Sequence, residues 1–324
     1  MSTPDEPLIS VLMPAYNHER YVETSVRSVL DQDWADLELI VVDDGSSDAT
    51  WDRLQELKAE CERRLVRVEM ARQENQGTCR TMNRLRALAG GRYVAILASD
   101  DAFAPGALRR MASVMASDAS VGCVVGGNEL MDGEGRPCYW DADRGVVAER
   151  EKAVYETFNA FITARTGVAI PGPLFGDYAT LLGGNHVPNG ALIRASALEA
   201  VPPFSPEAPL EDWWLHLQLA KLVRYAAVSE TTFRYRWHAT NTVRKTEVMH
   251  RNFWRTVQWE ERRLQALGDK ERLASFAAAF WRRTRRFGTG PFALDRLDTS
   301  CERRKVLRLF GHDFVLSRRP RNVV

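Results

Sequence analysis

Along residues 8–131, short apolar runs alternate with amphipathic stretches, and Gly, Pro, Asn or Asp marks most changes of period. The apolar runs over 8–13, 37–42, 65–70 and 93–98 have the length and content of buried strands. Between them, residues 20–30, 50–62 and 78–89 read as helices, and a helix over 108–116 and a strand over 121–131 follow. Strand and helix taken in turn predict an α/β fold, a mostly parallel sheet flanked by helices. After Asp132 the rhythm breaks. A helical stretch over 153–166 leads into a loop over 167–189 that carries Pro171, Pro173, Gly183 and Gly184, long enough to serve as a lid or substrate loop. A strand over 191–193, a helix over 215–222 and two short strands over 225–228 and 232–237 come next, and from about Lys245 the pattern is helical and rich in arginine.

The pattern places two acidic turns at strand ends. Asp43, Asp44, Gly45, Ser46, Ser47 and Asp48 follow the second strand, and Ser99, Asp100 and Asp101 follow the fourth. In an open α/β sheet the carboxyl ends of the strands form the ligand-binding edge. Carboxylates there suit a nucleotide held partly through a divalent cation. The first turn, over 14–18, contains no glycine, and no GxGxxG follows the first strand, which argues against a dinucleotide-binding dehydrogenase. A nucleotidyltransferase would want a glycine-rich phosphate loop in the same region, and none is found there.

Composition narrows the class further. The 324 residues are 45% hydrophobic and 27% charged, as in a soluble globular protein. Five cysteines, an odd number without a CxxC pair, argue against a disulfide framework or a zinc site and suit a reducing, cytoplasmic setting. No run of 18 apolar residues occurs, and residues 1–7 are polar and acidic rather than leader-like. The net charge of +1 hides an asymmetry, because residues 281–324 carry 12 basic against 4 acidic side chains, leaving −7 for the rest. That tail reads either as a solvated helical face or as a peripheral contact with anionic lipid at the inner membrane face. Its arginines at 282, 283, 285, 286, 303, 304 and 308 interleave with Trp281, Phe287, Leu307, Leu309 and Phe310.

Six motifs in order resemble the inverting family 2 glycosyltransferases with the GT-A fold: Ser10 to Asn17, Asp43 to Asp48, Asn75-Gln76-Gly77 with Asn83, Ser99-Asp100-Asp101, Glu211-Asp212-Trp213-Trp214, and Arg236 to Asn241. The resemblance implies a nucleotide-sugar-binding half over 1–104, an acceptor-binding and catalytic half over 105–244, and a basic helical extension over 245–324. It implies donor contacts from Pro14, Tyr16, Asn17, Asp44, Ser99, Asp100 and Asp101. Tyr16 would stack on the nucleobase and Asp44 would accept its imide N–H, chemistry that an aromatic platform and a carboxylate can perform. Asp100 and His238 would hold Mn2+ or Mg2+, Asp212 would act as catalytic base, and Glu211, Trp213 and Trp214 would meet the acceptor, with one tryptophan structural and the other a sugar platform. Ala98 departs from the pattern, since the first aspartate of the family's DxD motif usually stands there. The activity implied is transfer from a nucleotide-sugar donor, a UDP-sugar, to a hydroxyl of a cell-surface glycan or lipid-linked acceptor, with no nucleic-acid partner. The alternative is a non-catalytic nucleotide-sugar-binding or scaffold protein of the same fold, motivated by Ala98.

Overall fold

The computed structural model describes residues 6–142 and 145–277 together with the backbone of three short strands at Leu294–Leu297, Arg303–Leu309 and His312–Arg319. Its first part follows the alternation read from the chain: β1 (Ile9–Ala15), α1 (Val22–Leu30), β2 (Leu37–Asp43), α2 (Thr50–Arg64), β3 (Arg67–Arg72), α3 (Thr78–Leu88) and β4 (Tyr93–Ile96). The next elements are β5 (Ala102–Phe103), α4 (Ala107–Ser117), β6 (Val121–Met131), β7 (Pro137–Trp140), β8 (Val146–Val147), α5 (Phe158–Thr166) and α6 (Tyr178–Leu181). Then come β9 (Leu192–Arg194), α7 (Ala195–Ala200), α8 (Glu211–Leu219), β10 (Arg224–Arg236) and α9 (Thr246–Leu267), with a further helical stretch over 270–277.

The strands order as β3-β2-β1-β4-β9-β6-β10-β5. The β3-β2-β1-β4 half is parallel, so the ends of β1, β2 and β4 open on one edge. β9 enters antiparallel between β4 and β6, and β6 pairs β10 in parallel. Buried side chains on the two faces of this sheet form two large apolar clusters, one around Val11, Leu39 and Met111, the other around Leu12, Ile193 and Trp214. Both faces of β2 are covered, which explains why residues 37–42 read as an unbroken apolar run.

Two expectations need correction. β10 is one long strand rather than two, and the polar Ser229-Glu230 step, where its register against β6 shifts, is what splits the sequence pattern. Among the described residues, the C-terminal extension is helical over α9 and 270–277, whereas β11 (Leu294–Leu297), β12 (Arg303–Leu309) and β13 (His312–Arg319) pair antiparallel. The Val-Leu-Arg-Leu and Phe-Val-Leu runs on either side of Phe310-Gly311 are a hairpin signal that the arginine content masks. Arg282, Arg283, Arg285 and Arg286, on which the lipid-contact expectation also rests, lie outside the described residues. No described helix is long and apolar enough to cross a membrane.

Candidate active site

The turns after β1 and β2 are tied to each other before they can meet a ligand. Asn17 takes the left-handed conformation, φ 54°, which asparagine tolerates better than most residues. Its N–H donates to Ser46 Oγ at 2.9 Å and its Oδ1 accepts from Ser47 N–H at 2.8 Å. Gly45 has φ 75°, and a Cβ there would stand 2.8 Å from Asn75 N, so the turn requires glycine. Asp44 is buried, and its carboxylate accepts from Gln73 Nε2 and from the N–H groups of Gln76 and Gly77, each at 2.8 Å. Asp44 therefore clamps the loop before α3 in addition to bordering the cleft. Tyr16 is 47% exposed at the end of β1, an unusual setting for a large ring, and Pro14 lies beside it along the same wall.

At the end of β4, Asp100 meets two imidazoles. Its Oδ2 is 3.0 Å from His238 Nε2 and 3.6 Å from His18 Nε2, and one ligating atom from each residue falls within 4.8 Å of the others. His18 Nδ1 lies 2.8 Å from Ser99 Oγ and His238 Nδ1 lies 2.8 Å from Thr240 Oγ1. The Nδ1 hydrogen bonds orient both rings, as they do in ligating histidines, and His238 Nε2 also lies 3.1 Å from Asn241 Nδ2. Burial lowers the His18 pKa more than the Asp100 charge raises it, so the ring stays neutral near pH 7. Burial opposes ionisation of Asp100, yet the His238 hydrogen bond and the charges of His18 and His238 together hold it below the usual carboxylate range. One carboxylate and two imidazoles, each with its Nδ1 on a hydroxyl, fit a divalent cation.

Ser99 and Asp101 flank Asp100 in the same turn. Both are buried; Ser99 spends its hydroxyl on His18, and Asp101 Oδ1 accepts from Arg236 N–H at 2.8 Å. Burial and then the adjacent Asp100 charge push the Asp101 carboxyl well above its usual range, so Asp100 carries the negative charge of the pair. Both residues hold the turn, and Asp101 also borders the cleft. Arg236, also buried, supports it from below by donating Nε–H to the Asp100 carbonyl at 2.7 Å.

Asp212 sits in the first turn of α8, after Leu210 at the N-cap. Its Oδ1 accepts from Trp213 N–H at 2.6 Å and its Oδ2 accepts from Asn185 Nδ2 at 2.8 Å. The carboxylate is exposed to the cleft rather than to open solvent, and desolvation by the cleft walls raises its pKa above an ordinary aspartate's. Glu211 beside it is also raised, first by burial and then by the Asp212 charge. α8 is held in place by Asn83, which exchanges two hydrogen bonds with the Phe204 backbone beneath Trp214, and by Glu260 of α9. Glu260 is fully buried and accepts from Tyr178 Oη at 2.6 Å and from Gln218 Nε2 at 2.8 Å, with Lys221 Nζ 2.6 Å away.

The tryptophans after Asp212 also differ from expectation. Trp213 and Trp214 are 1% and 0% exposed. Trp213 stacks on Phe253 at 4.8 Å and donates Nε1–H to the Leu181 carbonyl, while Trp214 packs on Phe204 and Trp259. Neither ring offers a face to a sugar; both belong to the core under the cleft. Sequence reasoning also missed His18 and Asn185. The signal for His18 was its place in the same ligand-edge turn as Tyr16 and Asn17; that for Asn185 was the Gly183-Gly184-Asn185 step in a loop already marked as functional.

Pro14, Tyr16, Asn17, Asp44, Asp100, Glu211, Asp212 and His238 all border one cleft of about 2160 Å³. Ligand sites are usually about 300–1,000 Å³, so this cleft is larger than most. Its far wall is the α9 segment around Met249, Arg251 and Arg255.

Known proteins share both the pattern and the architecture. The sequence profile described as "Glycosyl transferase family 2" matches residues 10–172, half of the chain. Over 133 residues the chain is 39% identical to Bacillus subtilis TuaG, a glycosyltransferase named for teichuronic acid biosynthesis, an alignment covering 41% of this chain and 51% of that one. It is 33% identical over 128 residues to Escherichia coli WfgD, named UDP-Glc:alpha-D-GlcNAc-diphosphoundecaprenol beta-1,3-glucosyltransferase, covering 40% of this chain and 48% of that one. The chain thus spans about half the length of these two relatives. Among solved structures, S. aureus TarS 1-349 in complex with UDP-GlcNAc superposes with a TM-score of 0.59 at 18% identity, covering 90% of this chain and 77% of that chain. The mannosyltransferase PcManGT from Pyrobaculum calidifontis, in complex with GDP-Man and Mn2+, superposes at 0.50 with 17% identity, covering 89% and 67%. These superpositions establish a GT-A architecture, and with half of its length matched to the family profile the chain belongs to glycosyl transferase family 2.

Proposed function

We propose that this glycosyltransferase moves a sugar, with inversion at the anomeric carbon, from a UDP-sugar to a hydroxyl of a surface-glycan or lipid-linked acceptor, using Mn2+ or Mg2+ held by Asp100 and His238. The observation that carries the reading is the shared cleft, which presents an exposed ring, an acidic turn with two imidazoles and a separate carboxylate with a raised pKa to one volume. Tyr16 offers its face to the nucleobase, and Asp44 accepts the imide N–H while holding the loop before α3 in place. A divalent cation bound at Asp100 supplies positive charge against the diphosphate as it departs.

Asp212 accepts the proton of the acceptor hydroxyl as its oxygen bonds to the anomeric carbon and the bond from that carbon to the diphosphate oxygen breaks. Attack comes from the face opposite the leaving group, so a single base yields an inverted product. A raised pKa makes Asp212 a stronger base than an ordinary aspartate, and Asn185 aims its carboxylate. A uridine donor is supported by the UDP-GlcNAc and UDP-Glc in the names of TarS and WfgD, and the acceptor class by the teichuronic acid and diphosphoundecaprenol in those of TuaG and WfgD. The test is a screen of donor hydrolysis and transfer across nucleotide sugars with Mn2+ and with EDTA. Turnover of a UDP-sugar that stops with EDTA is expected; full activity in EDTA, or turnover only of a non-uridine donor, would refute that part of the reading.

A further inference from the structure

The acidic turn that lacks a carboxylate at Ala98 receives an imidazole from a different turn. We infer that His18 is a third protein ligand to the divalent cation, giving a set of two imidazole nitrogens and one carboxylate oxygen that selects Mn2+ over Mg2+. This rests on the cation-assisted reading given above. His18 is placed by its backbone, whose N–H donates to Thr50 Oγ1 at 2.7 Å, and by its ring, whose Nδ1 is against Ser99 Oγ at 2.8 Å. Its Nε2 faces Asp100 Oδ2 at 3.6 Å, too far for a hydrogen bond, and has no hydrogen bond among the described residues.

Ligands of one small cation stand apart in this way. With metal–ligand distances of about 2.1 Å, adjacent octahedral ligands lie about 3 Å from each other. The 3.0 Å between His238 Nε2 and Asp100 Oδ2, a distance that a hydrogen bond between them also takes, equals that edge, and His18 Nε2 completes a triangle whose sides all lie within 4.8 Å. Both imidazoles approach through Nε2 with Nδ1 on a hydroxyl, the arrangement that fixes a ligating ring. Imidazole suits borderline metals, whereas Mg2+ prefers oxygen donors and keeps its water. A site that trades a carboxylate for an imidazole shifts its preference accordingly.

The experiment titrates Mn2+ into the full chain, with and without UDP, following free Mn2+ by EPR, and repeats it for His18→Ala and for Ala98→Asp/His18→Ala. The wild type is expected to bind one Mn2+ at least tenfold more tightly than Mg2+, measured by competition. His18→Ala should weaken Mn2+ binding by tenfold or more without altering UDP affinity in the absence of metal, and the double variant should regain cation binding with the preference moved toward Mg2+. Pulsed EPR of the wild-type Mn2+ complex gives a readout independent of any variant's folding: two directly bound imidazole nitrogens are expected. One imidazole nitrogen, or Mn2+ affinity in His18→Ala within twofold of wild type, would overturn the inference and leave the cation-assisted reading standing. No Mn2+ binding by the wild type even with UDP would instead remove that reading itself.

Discussion

Replacing Asp212 with asparagine separates the two things its carboxylate does. Oδ1 accepts from Trp213 N–H in the first turn of α8, and an asparagine oxygen can keep that bond. The contact with Asn185 can also survive if the Asn185 amide turns its oxygen to the new NH2, at the loss of the 3.2 Å bond that this oxygen accepts from Val187 N–H. What disappears structurally is a negative charge near a helix N-terminus, worth about 0.3–1 kcal/mol, and its loss is offset by relief of the desolvation that raises the Asp212 pKa. Stability and UDP affinity are therefore expected to stay close to wild type. Chemistry is not spared, since removing a general base costs about 10²–10⁴-fold, or roughly 2.7–5.5 kcal/mol of barrier. The assay is initial transfer rate at saturating donor, beside calorimetric UDP binding. The wild-type profile adds a check, because activity needs the ionised form. With a folded pKa raised above 3.8, activity is lost as pH falls through that raised value, so the acid limb lies above the position of an ordinary aspartate. An Asp212→Asn rate within threefold of wild type, in a protein that melts and binds UDP normally, would refute the assignment of Asp212 as base.

Asp44→Ala removes a buried carboxylate that satisfies Gln73, Gln76 and Gly77, so UDP affinity should fall by about 1.5–3 kcal/mol, roughly 10- to 150-fold by calorimetry; unchanged affinity would take Asp44 out of the site. Tyr16→Ala should weaken UDP binding by about 1–3 kcal/mol while Tyr16→Phe leaves it intact, since the ring face rather than the hydroxyl is used; equal losses in both would argue against stacking. Glu260→Ala leaves Lys221 buried without its partner under α9 and should lower stability by about 3–5 kcal/mol in urea unfolding, and a shift below 1 kcal/mol would mean that the α8 to α9 contact does not depend on this network.

The sequence was most legible where one rule governs each segment. β6 runs from Val121 to Met131 as the apolar pattern reads, and the turns after β1, β2 and β4 converge because parallel strands share an edge. Legibility fell where a side chain's direction mattered more than its type. Trp213 and Trp214 look suited to a sugar in a motif, yet α8 is buried on every side from Trp213 to Leu219, so adjacent positions do not divide into an inner and an outer face. Ser99 and Asp101 flank Asp100 in sequence, and their side chains bond to His18 and Arg236. The approach of His18 to Asp100 went unread because they are 82 residues apart, and only the packing of one βα turn against another joins them. The basic tail misled for another reason: arginine is compatible with helix and strand alike, and the hairpin signal lay in its sparse apolar residues.

The most direct test of the central claim is the stereochemistry of transfer by the wild-type enzyme, read by NMR from the anomeric coupling of the first-formed product with an α-linked UDP-sugar and Mn2+. One base opposite the leaving group predicts a product of exclusively inverted, β configuration, formed in the presence of the cation and absent when EDTA is added. A product that retains the donor's configuration would contradict the single-displacement role given to Asp212.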